Sequence, residues 1–376
     1  MSAAAELLLP ERQASPRRTL DPAPARIALL GTGVVGSAVL ARLTSWREGP
    51  LGQRLLLVYA SNSRAALSAV EGLSARAVDA TLRSAPRASP SADLDNVETA
   101  LRGAAGARIV IDATASEAVA ERHASWLARG IHVVTACKLG QGTSLTRWQA
   151  IRSAAEQGGT QYGDSATVGA GLPLLRSLRE LQGGGDRIHA IAGVLSGSLA
   201  WLFNHYDGLR PFSGFVREAR DAGYTEPDPR DDLSGEDVRR KILILARAAG
   251  VPLDSNAVQV ESLVPRRLAA LPTPALDAAL PSMDVAMRER FAAAYKNGEK
   301  LRFIARLQDG CARVGLESLP ADHPLAGGAG TDNRVAIWSD RYCRQPLVIQ
   351  GPGAGAEVTA AGLLDDALRI ARECVA

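Results

Sequence analysis

The feature that constrains the fold most is a glycine-rich turn between an apolar strand and an apolar helix. Ile27-Ala28-Leu29-Leu30 is typical of a buried strand, and Val35 to Trp46 has the spacing of apolar residues expected of a helix. The turn between them reads Gly31-Thr32-Gly33-Val34-Val35-Gly36. A strand, GxGxxG and a helix in this order are typical of a βαβ unit that binds a dinucleotide.

Strands and helices continue to alternate as far as about residue 160. Further strands are predicted at Leu55–Tyr59, Ala105–Asp112 and Ile131–Val134, a helix at Glu117–Arg129, and the start of a helix over Ala65–Glu71. This alternation predicts an α/β fold with a parallel, doubly wound sheet. We therefore expect a Rossmann-type nucleotide-binding domain over residues 25–160.

The order of elements becomes mixed after that point, which predicts an α+β second domain with catalytic and dimerisation roles. The predicted helices are Leu172–Leu181, Leu199–Tyr206, Phe212–Ala222, Asp237–Ala249, Met283–Asn297 and Thr359–Cys374. The predicted strands are Ile188–Leu195, Leu301–Leu307, Ala312–Leu316, Arg334–Ser339 and Pro346–Gln350. We expect a flexible tail over residues 1–24, the second domain over 161–330, and a C-terminal segment over 331–376 that returns to the nucleotide-binding domain.

Composition excludes several classes of protein. The net charge is +3 over 376 residues, and no motif interleaves basic and aromatic residues, so we expect no nucleic-acid partner. No run reaches the roughly 18 apolar residues of a transmembrane helix, so no membrane partner is expected. Four cysteines lie far apart without a CxxC pair, which is typical of reduced cysteines in a cytoplasmic protein.

The turn at Gly31–Gly36 predicts how a dinucleotide binds. Gly31 allows the tight turn, Gly33 lets the backbone approach the pyrophosphate, and Gly36 lets the helix pack closely on the strand. The backbone N–H groups at Val34 and Val35 begin the helix and favour an anion.

The end of the second strand predicts which dinucleotide is preferred. It reads Ser61-Asn62-Ser63-Arg64 and has no acid to bind a ribose 2′-hydroxyl, as NAD-selective sites usually have. Arg64 with the hydroxyls of Ser61 and Ser63 could receive a 2′-phosphate instead. We expect Asn62, Ser63 and Arg64 to contact NADP, with NAD also possible. The alternative is that Arg64 is a solvated residue at a helix start.

Two more strand ends contribute to the predicted crevice. One continues as Thr114-Ala115-Ser116, whose small side chains would leave room for a cofactor. The other ends in Thr135-Ala136-Cys137-Lys138. Ligands of open α/β sheets bind at these carboxyl ends, so the ammonium of Lys138 is expected in the crevice. A surface lysine is the alternative.

A charged loop runs from Gly223 to Lys241 and holds six acids and four bases. Ser234 and Asp237 fit a capping box, and Asp237 and Lys241 are spaced i, i+4 on one helix face. A partly buried lysine with a carboxylate partner can donate a proton, although an ordinary helix ion pair has the same spacing. The acids of the preceding loop, Glu226 and Asp232 among them, could bind the ammonium of an amino-acid substrate or be solvated.

Long motifs in this loop and elsewhere resemble homoserine dehydrogenase, in particular the dehydrogenase half of bacterial aspartokinase–homoserine dehydrogenase fusions. The resemblance covers about residues 25–376 and implies a stand-alone chain without the kinase half or a C-terminal regulatory domain. The motifs that carry it are Thr167–Pro173, Gly193–Leu199, Gly223–Gly235, Asp237–Lys241, His323–Leu325, Gly330–Asn333 and Gly353–Gly362.

The resemblance implies NAD(P)H-dependent interconversion of L-aspartate 4-semialdehyde and L-homoserine by a homodimer. It implies that Lys241 donates the proton to the carbonyl oxygen, that Asp237 binds and orients the substrate, and that Lys138 lies between cofactor and substrate. The residues that would frame the amino-acid end of the substrate are Ser198, Tyr224, Glu226 and Asp232. Glu226 would also lie beside the cofactor, and the loop with Gly353, Gly355 and Thr359 would close over the nicotinamide.

Two positions depart from the family pattern. Cys137 stands where the family usually has Asn, which puts a backbone-anchoring hydrogen bond in question. Ser165 stands where a carboxylate commonly helps to bind a monovalent cation, Na⁺ or K⁺. The remaining ligands of that site would be the backbone carbonyls of Val168, Ala170 and Leu172.

Two alternatives to this function remain at the level of sequence. One is a dehydrogenase that acts on a different amino-acid semialdehyde in a specialised pathway. The other is an NADP-binding sensor that has lost its chemistry. Retention of Lys138, Glu226, Asp237 and Lys241 together argues against the sensor, because loss of function would remove such residues early.

Overall fold

The computed structural model describes residues 23–85, 94–103 and 105–374. The tail predicted over residues 1–24 lies outside the described residues apart from Ala23 and Pro24. The described residues form two six-stranded sheets, one from each half of the chain.

The first sheet is built from elements that alternate along the chain. Its strands are β1 (Ala25–Leu30), β2 (Leu55–Ser61), β3 (Ala66–Ser68), β4 (Arg108–Asp112), β5 (His132–Thr135) and β6 (Tyr162–Gly163). Its helices are α1 (Val34–Trp46), α2 (Ala75–Ser84), α3 (Asp95–Leu101), α4 (Glu117–Ala128) and α5 (Leu145–Gly158). The spatial order is β3-β2-β1-β4-β5-β6, and all neighbours are parallel except β2 and β3. The predicted doubly wound α/β fold is confirmed.

The helix start predicted over Ala65–Glu71 is wrong. The side-chain oxygen of Asn62 accepts hydrogen bonds from the backbone N–H of Arg64 at 2.8 Å and of Ala65 at 3.0 Å, which closes a tight turn. The chain then runs back along β2 as the short strand β3, with Ser68 opposite Tyr59. An Asn side chain that mimics a backbone turn competes with helix formation, and here it prevails.

The second sheet is mostly antiparallel. Its strands are β7 (Ile188–Val194), β8 (Gln259–Val260), β9 (Glu299–Gln308), β10 (Cys311–Pro320), β11 (Asn333–Ser339) and β12 (Leu347–Gly351), in the order β12-β11-β7-β9-β10-β8. The helices around it are α6 (Leu174–Gly183), α7 (Gly197–His205), α8 (Phe212–Asp221), α9 (Arg230–Leu233), α10 (Glu236–Ala248), α11 (Arg266–Ala269), α12 (Thr273–Ala279) and α13 (Asp284–Lys296). The predicted α+β character is confirmed.

The core of the second half lies between its sheet and its helices. Along α10, Val238, Ile242 and Leu245 are almost fully buried and belong to one apolar cluster with Phe303 and Leu307 of β9. The apolar face of α10 therefore fixes this helix on the sheet. The charged residues in the first turns of α10 are therefore held beside the strand ends of this sheet.

The last helix connects the two halves. β11 and β12 lie in the second sheet, whereas α14 (Ala356–Glu373) places Leu363, Leu364 and Ala367 in the apolar core of the first sheet, together with Val39 of α1. The domain boundaries at residues 160 and 330 stay predictions.

Two further features of the described part of the chain concern its helices and its cysteines. No helix there has both the length and the apolar character needed to cross a membrane. All four cysteines are free thiols: Cys137 is buried, and Cys311, Cys343 and Cys374 are exposed.

Candidate active site

The carboxyl ends of β1, β2, β4 and β5 meet at one edge of the first sheet. Backbone hydrogen bonds of 2.8 Å join Gly31 N to Ser61 O and Ala113 N to Leu30 O, and Ala136 N donates to Asp112 O at 3.0 Å. The segments predicted to bind the dinucleotide therefore lie side by side. This edge is where open α/β sheets bind ligands.

The glycine turn fits a pyrophosphate. A Cβ atom on Gly36 would overlap the carbonyl oxygen of Gly31, so the helix can approach the strand this closely only with glycine there. Space around Gly33 is open, and no side chain caps the helix N-terminus that follows it. Val34 is 80% exposed, which leaves an apolar surface that a bound dinucleotide would cover. Val35 is half-buried against the core behind the turn.

The segment Ser61–Arg64 lies at the outer side of this turn. Ser61 is buried, and the amide of Asn62 donates to Thr32 Oγ1 at 3.3 Å, which ties the segment to the glycine turn. Ser63 is exposed. The guanidinium of Arg64 makes no ion pair or hydrogen bond with any residue that the structure describes, so it is available to a phosphate.

The turn Thr114–Ser116 joins β4 to α4 and is held by a buried carboxylate. Thr114 donates to Asp112 Oδ1 from its hydroxyl at 2.6 Å and from its backbone N–H at 2.9 Å. Thr135 Oγ1 donates to Asp112 Oδ2 at 3.0 Å, and His123 Nε2 lies 3.1 Å from the same oxygen. Ser116 caps α4 through its side chain. Asp112 therefore fixes the ends of two adjacent strands.

Three predicted catalytic side chains meet where the two halves of the chain touch. Lys241 Nζ lies 2.7 Å from Asp237 Oδ2, and Lys138 Nζ lies 3.4 Å from Asp237 Oδ1. Lys138 follows β5 of the first sheet, whereas Asp237 and Lys241 lie on α10 of the second half. One carboxylate thus bridges two ammonium groups.

Lys241 is held in a nearly buried position. It is 8% exposed, and its ammonium donates to the backbone oxygen of Leu195 at 2.7 Å. Burial lowers the pKa of Lys241 below its usual value, although the charge of Asp237 acts in the opposite direction. A lysine with a lowered pKa is a stronger proton donor than a solvated one.

Asp237 stays ionised under ordinary conditions. Burial alone would raise its pKa, but the ammonium groups of Lys241 and Lys138 outweigh that effect and hold the pKa at about 2. The carboxylate can therefore orient both ammonium groups over the whole neutral range.

The residues predicted at the amino-acid end of the substrate divide into two kinds. Asp232 is engaged within the protein: its oxygens accept from Ser198 Oγ at 2.6 Å and from the backbone N–H of Glu226 at 2.8 Å. The exposed carboxylate of Glu226 has no partner among the described side chains. Tyr224 is 45% exposed and stacks on Trp201 with ring centroids 5.3 Å apart. Glu226 and Tyr224 are thus the side chains available to a ligand.

Other charged residues of the same loop make ion pairs and hydrogen bonds within the protein. Arg230 pairs with Asp228 at 2.6 Å and holds the pKa of that carboxyl at about 2. Arg230 also donates to the backbone oxygen of Leu271 at 2.5 Å. These contacts fasten the loop to the segment before α12.

The capping box predicted for Ser234 and Asp237 is wrong. The N-cap of α10 is Gly235, in the left-handed region at φ +77°, and no side chain caps the helix. Ser234 instead donates to the backbone oxygen of Asp231 at 2.9 Å and accepts from Glu236 N at 3.2 Å. The short helix α9 occupies the residues before Gly235, so Ser234 ends one helix and cannot begin the next.

The loop predicted to close over the nicotinamide lies beside Lys241. Gly353 packs so closely on the amide of Asn333 that a Cβ atom there would overlap it. Asn333 in turn donates to Leu195 O at 3.4 Å, the same carbonyl that Lys241 contacts. Gly355 precedes α14 as its N-cap, and the hydroxyl of Thr359 donates back to Gly355 O at 2.7 Å.

The predicted cation site has no carboxylate at position 165, although the buried Oδ1 of the neighbouring Asp164 has no hydrogen-bond partner among the described residues. Ser165 donates from its hydroxyl to Asp366 Oδ1 at 3.0 Å, and the carbonyl of Leu172 accepts from Leu174 N at 2.8 Å. Val168 and Ala170 are buried in the same loop. No group of three acidic, His or Cys side chains in the described ranges could hold a metal ion.

The two carboxylates nearest to this loop already have counter-charges. Asp164 pairs with Arg179 at 2.6 Å, and Asp366 pairs with Arg369 at 3.2 Å. The residues therefore do not fit a cation site of the expected composition, and no chemical step is assigned to a cation.

Cys137, which stands where the resemblance implies asparagine, does not expose its thiol. Its side chain is 3% exposed, and burial raises the pKa of the thiol to about 11. Its backbone N–H donates to Thr135 Oγ1 at 2.8 Å, so the strand end before Lys138 is still anchored.

Sequence reasoning missed several residues that shape the site. Asn333 stood in a motif that carried the resemblance, but nothing assigned it a contact. His123 gave no signal, because a single histidine on a predicted helix is not distinguishable from a surface residue. It is fully buried between Asp112 and the hydroxyl of Tyr162, which lies 2.9 Å from its Nδ1.

Family models match both halves of the chain. The model of the homoserine dehydrogenase NAD binding domain matches residues 31–163, and the homoserine dehydrogenase model matches residues 173–368. The first match contains the glycine turn, Arg64 and Lys138. The second contains Asp237 and Lys241.

Relatives of known name agree with the family models. A homoserine dehydrogenase of Emericella nidulans is 36% identical over 366 residues, covering 93% of this chain and 98% of the relative. Bifunctional aspartokinase/homoserine dehydrogenase 2 of Zea mays is 43% identical over 267 residues, covering 70% of this chain and 29% of the relative. The chain thus spans less than a third of the length of the bifunctional plant relative.

Solved structures show the same fold. A Candida auris protein of unknown function is 34% identical with a TM-score of 0.84, covering 93% of this chain and 98% of that one. A hyperthermophilic archaeal homoserine dehydrogenase in complex with NADPH has a TM-score of 0.71 at 19% identity, with the same coverage. The matches of both family models and of the fungal relative show that the chain belongs to the homoserine dehydrogenase family, an NAD(P)-dependent oxidoreductase family.

Proposed function

We propose that this protein catalyses the reversible reduction of L-aspartate 4-semialdehyde to L-homoserine with a nicotinamide cofactor. The observation that carries the proposal is the cluster of Lys138, Asp237 and Lys241 beside the carboxyl ends of the first sheet. A carbonyl placed there would face an ammonium with a lowered pKa. Membership of the family supplies the substrate class.

The bound cofactor supplies the hydride that the carbonyl carbon accepts. Lys241 donates the proton to the carbonyl oxygen as negative charge develops on it, and Lys138 stabilises the same charge from the cofactor side. Asp237 remains a carboxylate and keeps both ammonium groups in place. In the reverse direction the neutral amine of Lys241 accepts the proton of the homoserine hydroxyl.

The amino-acid end of the substrate is bound by the charged loop. Glu226 offers its free carboxylate to the substrate ammonium, and the ring of Tyr224 forms a wall against it. Asp232 acts as a positioning residue, because it holds the backbone of Glu226 and the hydroxyl of Ser198.

The proposal predicts oxidation of NADPH that depends on aspartate semialdehyde and is followed by the loss of absorbance of the reduced nicotinamide. Turnover with homoserine and the oxidised cofactor is expected in the reverse direction. Binding of NADPH without turnover of either substrate would instead support the sensor. Faster turnover of another amino-acid semialdehyde would support the specialised dehydrogenase.

Arg64 gives the proposed preference for NADP a direct test. Replacing Arg64 by alanine is expected to raise the KM for NADPH more than the KM for NADH, because only NADPH carries the 2′-phosphate. Initial rates with both cofactors measure the ratio, and Arg76, on α2 of the same half, provides a matched control for loss of charge. An equal rise for both cofactors in Arg64→Ala would contradict the assignment.

Two further parts of the proposal are a homodimer formed through the second domain, which rests on the resemblance alone, and a cytoplasmic location, which rests on the widely spaced cysteines. The resemblance also implies a site for Na⁺ or K⁺. The pairing of Asp164 and Asp366 with arginines argues against that site.

A further inference from the structure

Arg247, near the C-terminal end of α10, is a fully buried arginine to which the proposed mechanism gives no role. It is 0% exposed and forms no ion pair with a carboxylate of the described chain. Its guanidinium donates instead to three backbone carbonyls: Gln141 O at 2.5 Å, Thr143 O at 2.9 Å, and Leu253 O at 2.9 and 3.1 Å.

Two of these carbonyls belong to the segment that follows Lys138. Gly142 N donates to Lys138 O at 2.6 Å, so residues 138–142 form one tight turn. Arg247 binds the carbonyls of Gln141 and Thr143, at the end of that turn and just beyond it. A side chain of the second half of the chain therefore holds the turn that presents the lysine of the first half.

The same turn is also fixed from the side of the first sheet. Asp112 accepts from Thr135 Oγ1, which accepts from the backbone N–H of Cys137 at 2.8 Å. The side-chain amide of Gln141 donates to the buried carboxylate of Asp164 at 2.9 Å. Arg247 adds the only one of these contacts that comes from the helix carrying Asp237 and Lys241.

A buried cation without a carboxylate partner is costly, and burial lowers the pKa of Arg247 to about 10. A guanidinium can offset part of that cost because its planar fork reaches several carbonyls at once. A lysine at this position would keep the charge but could not bind three divergent carbonyls.

We propose that Arg247 is a positioning residue that sets the distance of Lys138 from Asp237 and Lys241 by holding the turn 138–143 on α10. This inference rests on the proposed function. Because a displacement of about 1 Å can cost on the order of 10²-fold in rate, loosening this turn is expected to lower kcat strongly without touching any reacting group.

The test compares Arg247→Lys with a matched control, Arg302→Lys. Arg302 is also buried and also binds three carbonyls, those of Phe203, Leu301 and Ala326, at 2.6 to 2.8 Å. Arg247→Lys is expected to lower kcat on the order of 10²-fold and to leave the Kd for NADPH unchanged. Arg302→Lys is expected to change thermal stability with little change in kcat. Equal losses of kcat in both variants, or no loss in Arg247→Lys, would overturn the proposal.

A second comparison shows whether Arg247 acts through Lys138. In a Lys138→Ala background the further replacement Arg247→Lys is expected to cost little, because the group that it positions is gone. A full additional loss of kcat would show that Arg247 acts elsewhere, and would overturn the assignment.

A measurement without turnover separates this inference from the proposed function. Hydrogen exchange of the amides in residues 139–145 is expected to be faster in Arg247→Lys than in the wild type and in Arg302→Lys. If the wild type failed to turn over aspartate semialdehyde, the proposed function would fall, and this exchange comparison would still decide whether the turn is held. Unchanged exchange would overturn the role of Arg247.

Discussion

Replacing Lys241 by alanine is expected to lower kcat for reduction of aspartate semialdehyde by about 10²- to 10⁴-fold, the range that general acid catalysis contributes. Lys241 has a lowered pKa and a carboxylate partner at 2.7 Å. Lys138 cannot replace it, because it approaches Asp237 from the other oxygen at 3.4 Å and is one-third exposed. The measurement is kcat at saturating NADPH and substrate.

The Lys241→Ala protein is expected to remain folded. Removal of one member of a buried ion pair is costly when it leaves an uncompensated charge. Here the side chain of Asp237 is 46% exposed and keeps Lys138 as a counter-charge. Leu195 O also keeps the amide of Asn333 as a donor at 3.4 Å. The melting temperature and the Kd for NADPH should therefore stay close to those of the wild type.

Arg239→Ala provides the control on the same helix. Arg239 pairs with Glu236 at 2.7 Å and donates to Ser255 O at 3.1 Å, away from the Lys138 side of the site. Near-wild-type kcat in Arg239→Ala with a large loss in Lys241→Ala is the expected contrast. Activity of Lys241→Ala close to that of the wild type would show that Lys241 is not the proton donor.

The part of the site that depends on local spacing was predictable from the sequence. Asp237 and Lys241 meet because residues spaced i and i+4 share a helix face. The packing of the apolar face of α10 then determines how exposed this pair is to water. The glycine turn was predictable for the same reason, because GxGxxG between a strand and a helix specifies a turn through residues that are neighbours in the sequence.

The contacts between distant segments were not predictable in this way. Nothing near Lys138 or Arg247 in the sequence indicates that the turn after β5 lies on α10, because that contact depends on how the two sheets are arranged. The capping role predicted for Ser234 was wrong for a related reason. A capping motif competes with any element that takes the preceding residues, and α9 does so here.

The role of Asp232 shows what geometry adds to a family resemblance. The sequence grouped it with Glu226 as a ligand of the substrate. In the structure both of its oxygens accept hydrogen bonds from the protein, one from Ser198 and one from the backbone of Glu226. A carboxylate that is satisfied in this way positions its neighbour, and we therefore assign the direct contact with the substrate ammonium to Glu226.

Replacing Asp237 by asparagine is the second change with a large expected effect, and it acts through charge. Asparagine keeps the size of the side chain but leaves the ammonium groups of Lys138 and Lys241 without a carboxylate between them. We expect kcat to fall on the order of 10²-fold, because Lys241 loses the partner that orients it. Glu at this position keeps the charge and serves as the matched variant.

The pH dependence distinguishes this effect from a simple loss of geometry. Asp237 raises the pKa of Lys241 against the larger, lowering effect of burial, so removing its charge must lower that pKa further. Reduction needs the ammonium form, so its rate is constant below the pKa and falls as the pH rises through it. In Asp237→Asn that fall should begin at a lower pH than in the wild type. Oxidation of homoserine needs the neutral amine, so the rise of its rate with pH should shift to lower pH by the same amount.

Asp237→Glu should leave both inflections close to those of the wild type even if its kcat is reduced. If kcat falls in Asp237→Asn and neither inflection moves, Lys241 is not the group whose protonation limits the rate.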